Sequence, residues 1–161
     1  MEIREYDPTK DKQKVETIFS QYWTDREFLE ELSRELDRSS DLTIDPNTNA
    51  RTFFVADDSG EVVGVTGFRK APEHLSSHAD TKNPAELYII ASQVKEKGIG
   101  SALGEKVIKE AKKQGFTELL CYSPETHDSS WPFYEKLGFI KGGIVKDPDD
   151  GYPGMLWKKV F

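Results

Sequence analysis

Cysteine is almost missing from this 161-residue chain, which has Cys121 and no other. A single thiol excludes an intramolecular disulfide and a cysteine-built metal site. Long apolar runs are missing too, and none approaches the roughly 20 residues that a bilayer-spanning helix needs. The opening Met1-Glu2-Ile3-Arg4-Glu5 is charged and alternating, unlike a signal peptide, so a cytoplasmic location and no membrane partner are expected. Positive charge is in deficit, with 22 Lys and Arg against 29 Asp and Glu, a net charge of -7. Nucleic acid is therefore not an expected partner, because a phosphate backbone demands a basic face. The same sign suits a cationic acceptor such as an amine, although solubility accounts for it equally well. Aromatic residues are plentiful: nine Phe, six Tyr and three Trp supply the large apolar groups that offset chain entropy. A length of 161 residues fits one domain spanning 1–161.

Residues 2–6 alternate as a first strand, and Asp7-Pro8 is expected to open a helix carrying Val15, Ile18, Phe19 and Tyr22. Thr24-Asp25-Arg26-Glu27 has the form of a capping box. The helix it predicts places Phe28, Leu29, Leu32 and Leu36 on one stripe and ends near Ser39-Ser40. A polar stretch over 45–49 leads to a hairpin, with strands at 51–56 and 61–68 around Asp57-Asp58-Ser59-Gly60. Residues 71–84 read as a long polar loop, functional or mobile. An apolar strand at 85–91 follows, then a helix over 101–113 stopped by Gly115. The strand at 118–122 must run parallel to the one before it, since a strand–helix–strand crossover returns in the same direction. A short helix over 129–137 and two last strands, 140–145 and 155–160, complete the chain. This order predicts an α+β fold, a mixed sheet with helices on its faces.

The most informative segment is Val94-Lys95-Glu96-Lys97-Gly98-Ile99-Gly100-Ser101-Ala102, between a buried strand and a helix. Glycines there let backbone approach a ligand, and the N–H groups of a helix start attract a diphosphate. A tight turn with solvated lysines is the plainer alternative. No Gly-Lys-Ser/Thr triplet is present, so a Walker loop is excluded. A dinucleotide fingerprint fails as well, because Leu103 stands where the third glycine belongs and no acidic residue closes the next strand.

Two segments resemble the GCN5-related N-acetyltransferase (GNAT) superfamily. Lys95-Glu96-Lys97-Gly98-Ile99-Gly100-Ser101-Ala102-Leu103 is similar to its pyrophosphate loop, with Lys95 where Arg or Gln is usual. Phe133-Tyr134-Glu135-Lys136-Leu137-Gly138-Phe139 is similar to its helix-to-strand sequence, and the order of elements agrees over nearly the whole chain. The resemblance implies a GNAT-like domain, with a mostly antiparallel sheet of about seven strands, helices on both faces and a central parallel pair. It implies acetyl-CoA as acyl donor, held by the segment 95–102 together with Ile89, Ile90, Ala91, His127, Ser130 and Phe133. In such a domain the strand carrying Ile89 splays from the next, and a backbone N–H near Ile89 or Ile90 polarises the thioester carbonyl. The expected reaction is direct acetyl transfer to an amine of a small molecule or protein. A non-catalytic acyl-CoA-binding sensor or regulatory module is the other reading, and homodimers are common among such proteins.

Acyl transfer to an amine needs a base for the amine, a polarised carbonyl and a proton for the leaving thiolate. Tyr134 is the expected general acid, or else a core aromatic. Glu86 is the expected general base, or else a solvated strand-end charge. His127 is the alternative base, or a capping histidine. His74 and His78 lack a partner at metal spacing, so no metal is expected. Cys121, inside an apolar strand, reads as a packed thiol rather than a nucleophile. Trp131 and Tyr152 are either acceptor-site aromatics or packing.

Overall fold

The computed structural model describes residues 1–39, 50–95 and 97–161; the polar stretch expected at 45–49 lies outside them, as do Ser40 and Glu96. The elements are β1 (Glu2–Glu5), α1 (Lys12–Ser20), α2 (Arg26–Asp37), β2 (Thr52–Asp58), β3 (Glu61–Lys70), α3 (Glu73–Ser76), β4 (Pro84–Ser92) and α4 (Ile99–Lys113). They continue with β5 (Glu118–Pro124), a 3-10 turn (Glu125–Ser130), α5 (Trp131–Lys136), β6 (Ile140–Lys146) and β7 (Pro153–Val160). The seven strands form one sheet in the order β1-β2-β3-β4-β5-β7-β6. The expected parallel pair is β4 with β5, through Pro84 and Glu118, Ala85 and Leu119, and Glu86 and Leu120. The α+β architecture is therefore the one the order of elements predicts. The chain forms two compact units, Met1–Arg69 with Tyr88–Val107, and Lys70–Leu87 with Ile108–Phe161.

In the first unit, two local expectations at helix starts are corrected. Asp7-Pro8 does not begin α1. The Asp7 carboxylate accepts from the Thr9 backbone and hydroxyl, and its carbonyl accepts from the N–H of Lys10 and Asp11. That closes a turn, and the helix starts one turn later behind Asp11. The Asp11 carboxylate is drawn away from capping by Arg4, at 2.8 and 2.9 Å, and by the Asp7 N–H. At α2 the cap is Asp25, which accepts from the Glu27 N–H at 3.0 Å, rather than Thr24. Asp at this position satisfies one of the unpaired N–H groups of the helix start.

Strand alternation then sorts this unit's core into two faces. Phe53 and Val55 of β2 and Ile89 and Ala91 of β4 join Val15, Ile18, Phe19, Leu32 and Leu36 of α1 and α2. Ala56 and Ile90 face the other way, toward Ile99 and Leu103 of α4. The β2–β3 hairpin turns on Ser59 and Gly60, with φ of 55° and 92°. Two consecutive positive φ values match the right-handed twist of the flanking strands.

In the second unit, β5 and β7 pair in antiparallel register, Leu120 with Lys158, Cys121 with Trp157 and Ser123 with Met155. Leu120 and Leu156 pack with Ala71 and Leu75. The expected loop over 71–84 contains the single-turn α3 and is held by Glu118. The fully buried Glu118 carboxylate accepts from the N–H groups of Asp80 and Thr81 and from the Thr81 hydroxyl. Several hydrogen bonds to one carboxylate are what permit its burial. Gly115, φ 89°, ends α4 as expected.

Candidate active site

The glycine segment lies in the first unit and is built from β4 outward. The Ser92 carbonyl accepts from the Tyr22 hydroxyl, and the Ser92 hydroxyl donates to the Val94 carbonyl at 3.1 Å. Lys95 and Lys97 are exposed. The Lys95 ammonium sits 5.9 Å from the centre of the Tyr22 ring. Gly98 has φ 74°, and nothing lies within 4 Å of where its Cβ would be. That conformation favours glycine, and it turns the chain into α4, which begins at Ile99. The Gly98 carbonyl accepts from the Ala102 N–H at 3.0 Å. The N–H groups before Ala102 are the ones a helix leaves without an intrahelical partner. Their aligned dipoles favour an anion.

A second glycine sets where that helix start sits. A Cβ on Gly64 of β3 would lie 2.6 Å from Ile99 Cγ2, 3.0 Å from Leu103 Cδ1 and 3.3 Å from the Ala91 carbonyl. The first turn of α4 therefore rests on β3 only because residue 64 has no side chain. Glycine inside a strand often marks such a close approach, which was the signal available in the sequence. Ile89 and Ala91 turn their side chains into the α1/α2 core, and Ile90 turns to the α4 side. The Ile89 carbonyl accepts from Thr66 Oγ1 at 2.9 Å. Ser101 and Ala102 are half-buried in the first turn and a half of α4.

Tyr134 and Glu86 lie in the second unit, and both are buried. The Tyr134 ring is 5.5 Å from that of Trp157, 6.1 Å from Phe139 and 5.3 Å from Phe133. Its phenol has the side chains of Cys121 and Ser123 as hydrogen-bonding neighbours, and the Cys121 thiol donates to the Tyr122 carbonyl at 3.8 Å. Burial, foremost, then the neighbouring Cys121, holds the phenol well above its ordinary pKa, while the Ser123 bond pulls the other way. Burial likewise pushes the Cys121 thiol up to about 12, the Tyr134 bond opposing and the Glu86 charge adding. Cys121 is thus the packed thiol that its apolar strand implied. Glu86 is not a solvated strand-end charge, being 6% exposed. Its register beside Leu120 puts it one residue out of phase with Cys121.

His127 is exposed on the 3-10 turn, where its backbone leaves helical geometry, and its carbonyl accepts from Ser130 Oγ at 2.7 Å. Phe133 and Ser130 are half-buried. Trp131 packs edge-on against Trp157, whereas Tyr152 is 50% exposed and its carbonyl accepts from the Tyr122 hydroxyl. His74 and His78 are exposed, and no group of three metal-binding side chains occurs among the described residues. An open groove of about 1020 Å³ lies in the first unit beside Arg4, Asp11 and Asp57, lined by none of the expected site residues. Arg4 binds both Asp11 and Asp57 there, and acidic residues (Glu5, Asp7, Asp11, Asp57 and Glu61) outnumber basic ones (Arg4, Lys10 and Lys14) along its lining.

The profile of the Acetyltransferase (GNAT) family matches residues 13–139, most of the chain, including the glycine segment and Tyr134. The chain belongs to this family. N-acetyltransferase 8B of Rattus norvegicus is 29% identical over 110 residues, 67% of this chain and 45% of that protein. This GNAT chain thus spans less than half the length of the curated relatives it matches. Among solved structures, a GNAT-family protein from Desulfovibrio desulfuricans superposes with a TM-score of 0.78 at 16% identity, covering 99% of this chain and 98% of that one. The protein yncA from Salmonella typhimurium, solved with its cofactor acetyl-CoA, gives 0.73 at 16% identity, covering 99% and 93%. At these identities the likeness is one of fold. No helix among the described residues is long and apolar enough to cross a membrane.

Proposed function

We propose that this GNAT chain is a single N-acetyltransferase domain over 1–161 that moves an acetyl group from acetyl-CoA directly to an amine of a small molecule or protein. The observation that carries the reading is the Gly98 turn into α4, an open, positive-φ cradle at a helix start flanked by Lys95 and Lys97. Such a cradle fits a diphosphate, because backbone N–H groups and the helix dipole both meet the negative charge. Acetyl-CoA brings a diphosphate to bind and a thioester to react, and the solved yncA structure holds it. Residues 95–102, with Ile89, Ile90, Ala91, His127, Ser130 and Phe133, are the proposed cofactor contacts. Tyr134 is the proposed acid that protonates the departing thiolate, and Glu86 the proposed base for the amine. Burial of both speaks for chemistry rather than passive binding, since a sensor requires neither ionisable group inside the fold. A cytoplasmic location and a homodimer complete the proposal.

Calorimetric titration with acetyl-CoA, repeated on Gly100→Glu, tests it. The wild type should bind and the variant should lose at least tenfold in affinity, because a carboxylate is set where phosphate oxygens sit. No heat from the wild type would leave the glycine segment a turn and end the acyltransferase reading.

A further inference from the structure

Tyr22 lies just past α1, whose cap is Gln21, and reaches across the first unit to the end of β4. Its backbone N–H donates to the Phe19 carbonyl at 3.0 Å, and that of Trp23 donates to the same carbonyl at 3.0 Å. Phe19 is itself buried in the core, so the backbone that carries Tyr22 is anchored to a buried helix end. The side chain is anchored as well. Its ring lies 5.9 Å from that of Trp23, which meets Phe19 edge-on at 6.0 Å and Phe28 of α2 at 5.7 Å. A hydroxyl on so restrained a ring is a donor whose position is set before anything binds.

Two parts of the glycine segment meet this side chain. The Tyr22 hydroxyl donates to the Ser92 carbonyl, where β4 ends, and the Ser92 hydroxyl extends the hold to the Val94 carbonyl at 3.1 Å. The Gln93 N–H, donating to the Val63 carbonyl of β3 at 2.8 Å, ties the same exit to the sheet. The Tyr22 ring has the Lys95 ammonium 5.9 Å from its centre. The kind of partner matters for an anion site. A carboxylate would hold the ammonium by cancelling its charge, whereas an aromatic face attracts it through the ring quadrupole and leaves the positive charge in place. At the other end of the segment, the first turn of α4 rests on β3 over Gly64.

We propose that Tyr22 is a positioning residue for acetyl-CoA, its hydroxyl fixing the exit of β4 and its ring placing the Lys95 ammonium for the diphosphate. The role rests on the cofactor site proposed above for residues 95–102, and it adds a residue that stands 70 positions before Ser92 in the chain. Tyr22 acts through Ser92 and Lys95, not on the reacting atoms. A segment ordered in advance loses little conformational freedom when its ligand arrives. One freed at Ser92 has to be ordered by the ligand, and affinity falls accordingly.

The test is a double-mutant cycle read by calorimetric titration with acetyl-CoA, so it needs no turnover. Tyr22→Phe keeps the ring and loses the hydroxyl, and Tyr22→Leu loses both. Tyr22→Phe should weaken binding about three- to tenfold, the usual worth of one hydrogen bond. Tyr22→Leu should weaken it further while Lys95 is present. In a Lys95→Ala background the two substitutions should cost the same, because the ring has no ammonium left to place. Circular dichroism confirms that each variant is folded. A ring that merely packs would make Tyr22→Leu cost more than Tyr22→Phe in both backgrounds alike, and that result overturns the proposal, as does unchanged affinity in Tyr22→Phe. If the wild type binds acetyl-CoA and the variants bind it equally well, the cofactor site stands and Tyr22 alone is removed from it. If the wild type binds none, the site and the role of Tyr22 fall together.

Discussion

At the scale of single residues, burial is the largest influence on the proton affinities of Cys121, Tyr122 and Tyr134 in the second unit. The Cys121 thiol shows the consequence most directly, because it is held at about 12 against an ordinary 9.0. A group whose folded pKa lies above its unfolded one keeps its proton in the fold after the unfolded chain has lost it. The stabilising contribution is therefore whole below 9.0 and is lost as pH rises toward 12. In urea titrations at about pH 8 and about pH 10.5, the midpoint should fall more in the wild type than in Cys121→Ala. Equal falls would mean that the thiol ionises alike in the folded and unfolded chain. A thiol kept neutral by the same burial is a poor nucleophile.

At the scale of elements, the first turn of α4 is set by what lies beneath it as much as by its own glycines. A methyl at position 64 meets the γ-methyl of Ile99 at 2.6 Å, an atom close to the backbone of a β-branched residue with little room to swing. Gly64→Ala should cost about 1–3 kcal/mol in urea unfolding and weaken acetyl-CoA binding together, because the helix start has to lift from β3. Lost stability with unchanged affinity would show that the loop adapts independently of the strand. Much of this arrangement was readable in advance. Alternation and helical spacing gave the strands and helices near their observed bounds, and the crossover rule gave the parallel β4–β5 pair. Gly98 was readable as a turn because glycine before a helix has one common use. The start of α1 was not, because Asp7 and Asp11 both have the chemistry of a cap and Arg4, distant from neither in space, decides between them. Ser123 is not legible as a neighbour of Tyr134, since bringing a strand residue to a helix residue requires the tertiary fold. Between the base and the solvated charge, the sequence leaves Glu86 open, because a position at a strand end says nothing of what covers it.

At the scale of the whole molecule, the two compact units are joined by more than linkers. β4 runs from Pro84 to Ser92 with the division after Leu87, and α4 runs from Ile99 to Lys113 with the division after Val107. Each unit therefore owns part of a strand and part of a helix that the other completes. A helix cut to its first two turns or so is too short to persist alone, since nucleation is costly and isolated helices under about 12 residues are marginal in water. Loss of order in the second unit should thus unravel α4 and, with it, the Gly98 turn of the first. Tryptophan positions allow a direct reading, with Trp23 in the first unit and Trp131 and Trp157 in the second. A Trp23→Phe variant reports the second unit by fluorescence, while far-UV circular dichroism reports both. Coincident urea midpoints from the two probes are expected, as for a single cooperative domain. A fluorescence midpoint separated from the dichroism midpoint would divide the chain into independently melting halves, and the proposal of one acetyltransferase domain over 1–161 would have to give way to two.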